Sequence, residues 1–232
     1  IAVVIIPIVC LYLLQCLLVP KYASDIKEGA MIKEYYNSEK NHDVLILGDC
    51  EVYENISTVT MWENYGISSY IRGSAEQLIW QSYYLLEDTL KYEKPQVVIV
   101  NVLAMTESDA KNEAYNRMTL DGMKLSKYKI ASIKESMTEE ENMASYIFPL
   151  LRYHSRWSEL SSEDFRYMWK TPSVTTNGYL MQKGVRPVTT IPKAAPLANY
   201  TFSDRNMEYL DKIYSLCKDN GINPVSYTHL TL

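Results

Sequence analysis

The stretch Asp43-Val44-Leu45-Ile46-Leu47-Gly48-Asp49-Cys50-Glu51 decides how this chain folds. Its apolar run is too short for a helix and too uniformly apolar for a strand with one wet face. It predicts a strand buried on both sides, of the kind found in parallel sheets. Working outward, Val97 to Leu103 has the same character, and Tyr65 to Ile71 is a weaker strand candidate. Between these two, Gln77 to Tyr92 carries Leu78, Trp80, Tyr84, Leu85 and Leu90 among polar residues and predicts a helix, which Lys94-Pro95 ends. Ser74 and Gln77 fit a capping box in front of it. Strand, helix and strand in close succession predict an α/β protein with a parallel sheet. Ligands of such sheets sit at the carboxyl ends of the strands. The residues just after Leu47, Ile71 and Val100 to Leu103 are therefore the ones to examine.

The rest of the chain divides by composition. Residues 1–20 read IAVVIIPIVCLYLLQCLLVP, with Gln15 the one strongly polar residue. At about 1.5 Å per residue this run matches the roughly 30 Å hydrocarbon core of a bilayer and predicts a transmembrane helix. It ends at Leu17-Leu18-Val19-Pro20-Lys21, without the small residues of a signal-peptide cleavage site. Residues 21–42 read as a charged juxtamembrane helix or linker, and 43–107 as the first half of an α/β core. Residues 108–200 are polar and rich in Met, Tyr and Lys. They predict helices over Met123 to Met137, Glu139 to Leu160 and Glu163 to Trp169, then a Pro- and Thr-rich stretch from Thr171 to Pro196. This is read as a helical insertion capping the sheet. Residues 201–223 return to the core, with a helix from Arg205 to Asp219 ended by Asn220-Gly221. Residues 224–232 stand apart: Val225 to Leu232, VSYTHLTL, resembles the translated transposase adaptor of short-read sequencing libraries. Read so, the natural chain continues past Asn223 and lacks its last core elements here, and this chain is inactive. Read plainly, the run is a β-prone strand.

Several function classes are excluded at this level. A net charge of −5 argues against binding nucleic acid by bulk charge. Four scattered Cys do not make a disulfide scaffold. No metal-ligand spacing, P-loop or dinucleotide glycine motif is present, so no metal or cofactor is expected. Twenty Tyr against three Phe point to many half-buried positions with a polar tip.

The strand followed by Gly48-Asp49-Cys50 resembles the first block of the SGNH (GDSL-like) hydrolases, a strand and then Gly-Asp-Ser. The resemblance covers about Asp43 to Met105, with the helix Arg205 to Asp219 matching by order. It implies a Rossmann-like three-layer fold and a nucleophile at the third motif position, which here is Cys50 instead of Ser. It implies that the backbone N–H of Gly73, in Ile71-Arg72-Gly73-Ser74, joins an oxyanion hole, with Asn101 a weak stand-in for the family's Gly-x-Asn-Asp. The family's closing Asp-x-x-His is absent. A membrane helix ahead of such a core is similar to the envelope members of this superfamily that act in alginate O-acetylation and teichoic-acid D-alanylation. The resemblance implies a single-pass protein facing outside a bacterial cytoplasm. Its chemistry would be that of an esterase or O-acyltransferase on envelope or extracellular glycans. The other reading is a non-catalytic module of the same fold that binds a polymer or partner.

Each candidate has a bland reading beside the functional one. Cys50 is a nucleophile, since a thiolate needs less help from a base than an alcohol, or a degenerate remnant. Asp49 braces the loop or is an ordinary turn residue. Glu51 starts a solvated helix, or lies near the thiol and raises its pKa. Arg72 supports a thiolate or anion, or is an ordinary surface Arg. His154 is the fallback base if the insertion folds over Cys50; a structural role is favoured. His42 lies at the wrong end of its strand. Arg152, Arg156 and Trp157 form a polymer-gripping cluster or an amphipathic helix with extended Arg stems. Asn55-Ile56-Ser57 and Asn199-Tyr200-Thr201 match glycosylation triplets.

Overall fold

Val44–Gly48 forms β1, and all five residues are buried. The structure, a computed structural model, describes residues 2–183 and 201–228. β2 (Ser69–Gly73) and β3 (Val97–Asn101) flank β1, and β4 (Asn223–Tyr227) lies beyond β3. All pairings are parallel, in the order β2-β1-β3-β4, with Leu45 opposite Tyr70 on one side and Val98 on the other. The α/β class with a parallel sheet is thus as expected.

Alternation along the strands explains why the apolar run is continuous. Leu45, Leu47, Val98 and Val100 face one core with α5 (Ile79–Thr89), α7 (Lys127–Ser136) and α11 (Asp204–Asp219), through Trp80, Leu85, Ile133 and Ile213. Val44, Ile46 and Ile71 face the other, against Met31 of α2 (Glu28–Glu34) and Val52 and Tyr53 of α3 (Cys50–Tyr53). Each buried aliphatic side chain contributes roughly 1.5–3 kcal/mol, so β1 anchors both layers.

Several boundaries differ from expectation for identifiable reasons. Tyr65 does not open a strand; it ends α4 (Thr58–Tyr65). The Ser57 hydroxyl accepts from the Thr60 N–H at 3.1 Å and Gly66 closes the other end, so two caps override a β-branched sequence. β3 stops at Asn101, whose side chain caps a 3₁₀ turn over Val102–Thr106. α5 begins at Ile79, where Gln81 accepts from the Leu78 N–H at 3.1 Å; Ser74 bonds Gln77 in the preceding turn and caps nothing. The long helix expected over Glu139 to Leu160 breaks into α8 (Met143–Ile147), α9 (Leu150–Tyr153) and a 3₁₀ turn over His154–Ser158. Pro149 lacks an N–H and disfavours helical Phe148.

The described helices of the insertion do not pack over the carboxyl edge of the sheet. α6 (Glu113–Leu120) packs on α2, and α7 packs on α5. α9, the turn after it and α10 (Ser162–Arg166) gather against α1 (Ala2–Leu18). The chain then returns along the outer edge of β2: the Ile71 N–H donates to Asn177 O at 3.0 Å and the Leu180 N–H to Tyr53 O at 2.8 Å. Residues 184–200, which hold the end of the Pro- and Thr-rich stretch and Asn199, lie outside the described residues. So does His229. β4 takes in Val225, Ser226 and Tyr227 of the adaptor-like segment, with Val225 opposite Ile99. Pro224 sits on this edge strand, where a missing N–H is tolerated.

The membrane helix expected over residues 1–20 is not supported as a span. α1 has 17 residues, about 25 Å at 1.5 Å per residue, and no helix among the described residues is long and apolar enough to cross a membrane. Pro20 disfavours helical Val19. The Lys21 ammonium folds back on the carbonyls of Cys16 at 2.8 Å and Leu17 at 3.3 Å, and Arg156 donates to Leu18 O. Downstream, the expected juxtamembrane helix reduces to α2 and a 3₁₀ turn over Tyr35–Asn37.

At the amino end of the sheet, Glu93 organises a buried polar knot. It accepts from Tyr35 Oη at 2.7 Å and from the N–H groups of Asn41 and His42 at 2.8 and 2.9 Å, and His42 Nδ1 lies 2.8 Å away. Burial pushes this carboxyl up, but the bonds from His42, Tyr35 and Asn41 outweigh it and hold the pKa down to about 2. A depressed carboxyl stabilises the fold fully above its unfolded pKa of about 4.5 and loses that contribution as pH falls through the folded value. The expected outcome is a fall in urea midpoint between about pH 4.5 and about 2, with the slope flattened in Glu93→Gln. An unchanged slope would show that Glu93 does not carry the acid limb.

Candidate active-site cleft

The strand order reverses between β1 and β3: the chain leaves β1 for β2 on one side, and β3 returns on the other. Ligands of open α/β sheets bind in the crevice outside the carboxyl ends at such a point. Gly48, Asp49, Cys50, Gly73 and Asn101 all lie there. The close approach demands glycine. At Gly48 (φ +156°) a Cβ would stand 2.5 Å from Asn101 Cβ; at Gly73, its partner across β1 and β2, 2.7 Å from Gly48 O.

Asp49 is the N-cap of α3. Its Oδ1 accepts from the Glu51 N–H at 3.1 Å and from Asn101 Nδ2 at 2.7 Å. Burial raises its carboxyl above the usual range, against those two bonds. Asn101 is 1% exposed, and its own Oδ1 accepts from the Leu103 N–H at 3.0 Å. Its side chain braces the loops after β1 and β3, and its amide is engaged by Asp49 instead of pointing free at an oxyanion.

Cys50 is exposed at the first position of α3. Partial burial of the sulfur, then the carboxylates of Asp49, Glu51, Glu54 and Glu76, push its thiol up to about 11. Glu51 therefore does both things the sequence offered: it sits in the first turn of α3 and it raises the thiol pKa. The cleft beside it, about 280 Å³, is lined by Asp49, Glu51, Glu76, Gln77 and Glu107. Lys111 partly balances this charge, 2.7 Å from Glu76 and 3.9 Å from Glu107. The sequence reading missed Glu76, Glu107 and Lys111. Their signal was position alone, on the loops after β2 and β3. Glu76 also holds a left-handed backbone (φ +55°), uncommon for a non-glycine residue.

The remaining candidates go elsewhere. Arg72 is fully buried and does not support the thiol. Its Nη1 donates to Leu85 O at 3.0 Å, Asp88 Oδ2 at 3.2 Å and Thr89 Oγ1 at 2.9 Å, and its Nη2 to Tyr36 Oη at 3.1 Å. The reason is register: Arg72 alternates with Ile71 and Gly73, so it turns toward α5. His154 is exposed beside α9, with Nδ1 2.9 Å from Leu151 O, in a segment that packs on α1 and lines no part of the cleft. His42 is buried at the opposite end of β1, as expected. Arg152 pairs with Glu113 at 3.2 Å and Arg156 with Asp164 at 3.1 Å, so both serve the insertion, while Trp157 stays exposed. Among the described residues, no group of three His, Cys, Asp or Glu is disposed to hold a metal ion. Comparison with known proteins finds no family model, no curated protein and no solved structure that matches this chain.

Breaking one partner of a buried ion pair costs about 3–5 kcal/mol. Arg72→Met should therefore lower unfolding free energy by about that amount in urea while leaving the pH profile of Cys50 alkylation unchanged. A shifted profile would put Arg72 back in the site.

Proposed function

We propose that this chain is a membrane-seated, SGNH-like domain of the cell envelope that holds a neutral or amine-bearing glycan at its switch-point cleft. In this reading Cys50 does not act as an acyl-transfer nucleophile. One observation carries it: the thiol stands among four carboxylates and is held protonated well above neutral pH. Acyl attack needs the thiolate; Cys50 does open a helix, but one of four residues, and the influences that move its thiol most are burial and carboxylates, with no cation among them. The same carboxylates accept hydrogen bonds from sugar hydroxyls and repel anionic polymers.

The membrane seat is supported by α1 and its surroundings. Val3, Ile6 and Ile8 are each at least 60% exposed, and a contiguous apolar surface of this kind marks an interaction site. Phe148, Trp157, Phe165 and Trp169 are exposed at or near the elements that pack on α1. Such aromatic residues favour the headgroup level of a bilayer. An exposed apolar helix footed by aromatics suits a membrane anchor. Placement outside the cytoplasm rests on the family resemblance.

A second reading keeps catalysis, because the motif residues do gather at one point. There Cys50 Sγ attacks an acyl carbon while the Cys50 and Gly73 N–H groups hold the oxyanion; the ester C–O bond breaks, the acyl group stays on sulfur, and a base that the described residues do not supply passes the thiol proton to the departing alcohol. Alkylation by iodoacetamide across pH, with Cys50→Ala subtracting the other cysteines, separates the two. Expected is a Cys50 rate that rises toward pH 11 and no acetyl-enzyme from p-nitrophenyl acetate. A thiolate titrating below about 8.5, with acetylation lost in Cys50→Ala, would replace the binding reading with the esterase or acyltransferase one.

A further inference from the structure

A second cavity lies away from the cleft, where the last turn of α1 meets α2 and the insertion. It holds about 370 Å³. Lys21, Lys33, Lys129 and Lys170 line it, against one carboxylate, Asp121. Asp121 is already taken: Arg117 Nη1 stands 3.2 Å away and Tyr153 Oη donates to it at 2.9 Å. The cations are therefore in excess. Lys21 is committed to the end carbonyls of α1, and Lys129 Nζ donates to Met123 O at 3.1 Å. Neither makes an ion pair among the described residues. Lys33 and Lys170 are exposed and have no hydrogen bond or ion pair to any described residue. Burial lowers the pKa of Lys21, to about 8, and of Lys129; Asp164 opposes this at Lys21 and Asp121 at Lys129, while the charge of Lys33 adds to the lowering of both. Like charges held together in a partly buried space leave a deficit that an anion would relieve.

Beside this cavity runs an apolar groove of about 510 Å³ between α1 and α9. Ile8, Leu11, Tyr12, Phe148 and Leu151 line it, and all five are more than half exposed. Gln15 lines both spaces, so they meet end to end. A cationic pocket joined to an open apolar groove has the chemistry of an amphiphile with an anionic head. A free phosphate would fill the pocket and leave the groove wet. A neutral lipid would fill the groove and leave the lysines uncompensated.

We infer that the cavity binds the phosphate headgroup of an anionic membrane lipid while the groove takes its acyl chain. This rests on the membrane seat proposed above, so two measurements are needed. Flotation with phosphatidylcholine vesicles tests the seat alone. Native mass spectrometry of the full chain in detergent tests the pocket, with phosphatidylglycerol, phosphatidylcholine and inorganic phosphate as probes. Expected is one phosphatidylglycerol retained per chain in preference to phosphatidylcholine, with phosphate alone retained weakly. The variant Lys33→Gln/Lys170→Gln removes two exposed charges and spares the core. On the scale of about fivefold per lysine at an anionic lipid surface, it should lose about 30-fold in phosphatidylglycerol affinity. The distal pair Lys94→Gln/Lys218→Gln should lose little. Equal retention of both lipids, equal loss in the distal pair, or phosphate binding that lipid does not displace would each overturn the pocket. Those results with flotation intact leave the membrane seat standing; failure to float removes the seat itself.

Discussion

One oxygen of Asp49 ties the working end of this fold together. Through Oδ1 the end of β1, the start of α3 and the end of β3 meet at a single point. Hydrogen bonds to a charged group are worth about 1.5–3 kcal/mol each, enough to fix the loops around the switch point. The two glycines that let the strands approach serve the same junction. The arrangement has a chemical side effect. The carboxylate that braces the loop is also a negative charge next to Cys50, and Glu51, Glu54 and Glu76 add to it. Where Ser would be indifferent to such a charge in its resting state, Cys is held as the neutral thiol.

The sheet was legible because β1 and β3 are buried on both faces, and such strands announce themselves as unbroken aliphatic runs. The carboxyl-edge residues followed from topology: a residue just past a buried parallel strand has nowhere else to be. What could not be read was direction. Nothing local says that Arg72 turns toward α5, or that Asn101 spends its amide on Asp49. Nor did the helical spacing of the insertion say where it would dock. Its apolar residues fit a lid over the sheet as well as a foot against α1. α4 was hidden for a different reason, since its β-branched start contradicts helix propensity and its two caps decide the matter.

The tyrosines find their explanation in the polar interior. Tyr35 bonds Glu93, Tyr36 bonds Asp88, and Tyr153 bonds Asp121, each hydroxyl reaching a buried carboxylate while the ring packs in the core. Burial raises the pKa of all three. Phe would fill the same volume and take one donor from each carboxylate, leaving Glu93 to the Asn41 and His42 amides, Asp88 to Arg72 and Asp121 to Arg117. The guanidinium of Arg72 lies over the Tyr35 ring at 4.2 Å, so the aromatic face is used as well. The Tyr35 and Tyr36 contacts join the turn after α2 to β2, to α5 and to the loop that follows α5.

The strip that runs along β2 bears on how the molecule assembles. Ile71 and Asn177 are far apart in sequence, yet their backbone bond covers an edge that would otherwise offer free amides to any passing strand. That edge is closed only after the whole insertion has found its place. Pairings of such long loop span slow folding, because chain entropy is spent before the contact rewards it. Until then the β2 side presents unpaired amides. The insertion is thus no detachable appendage: excising it would leave a sheet with a raw flank, prone to pair with its own copies.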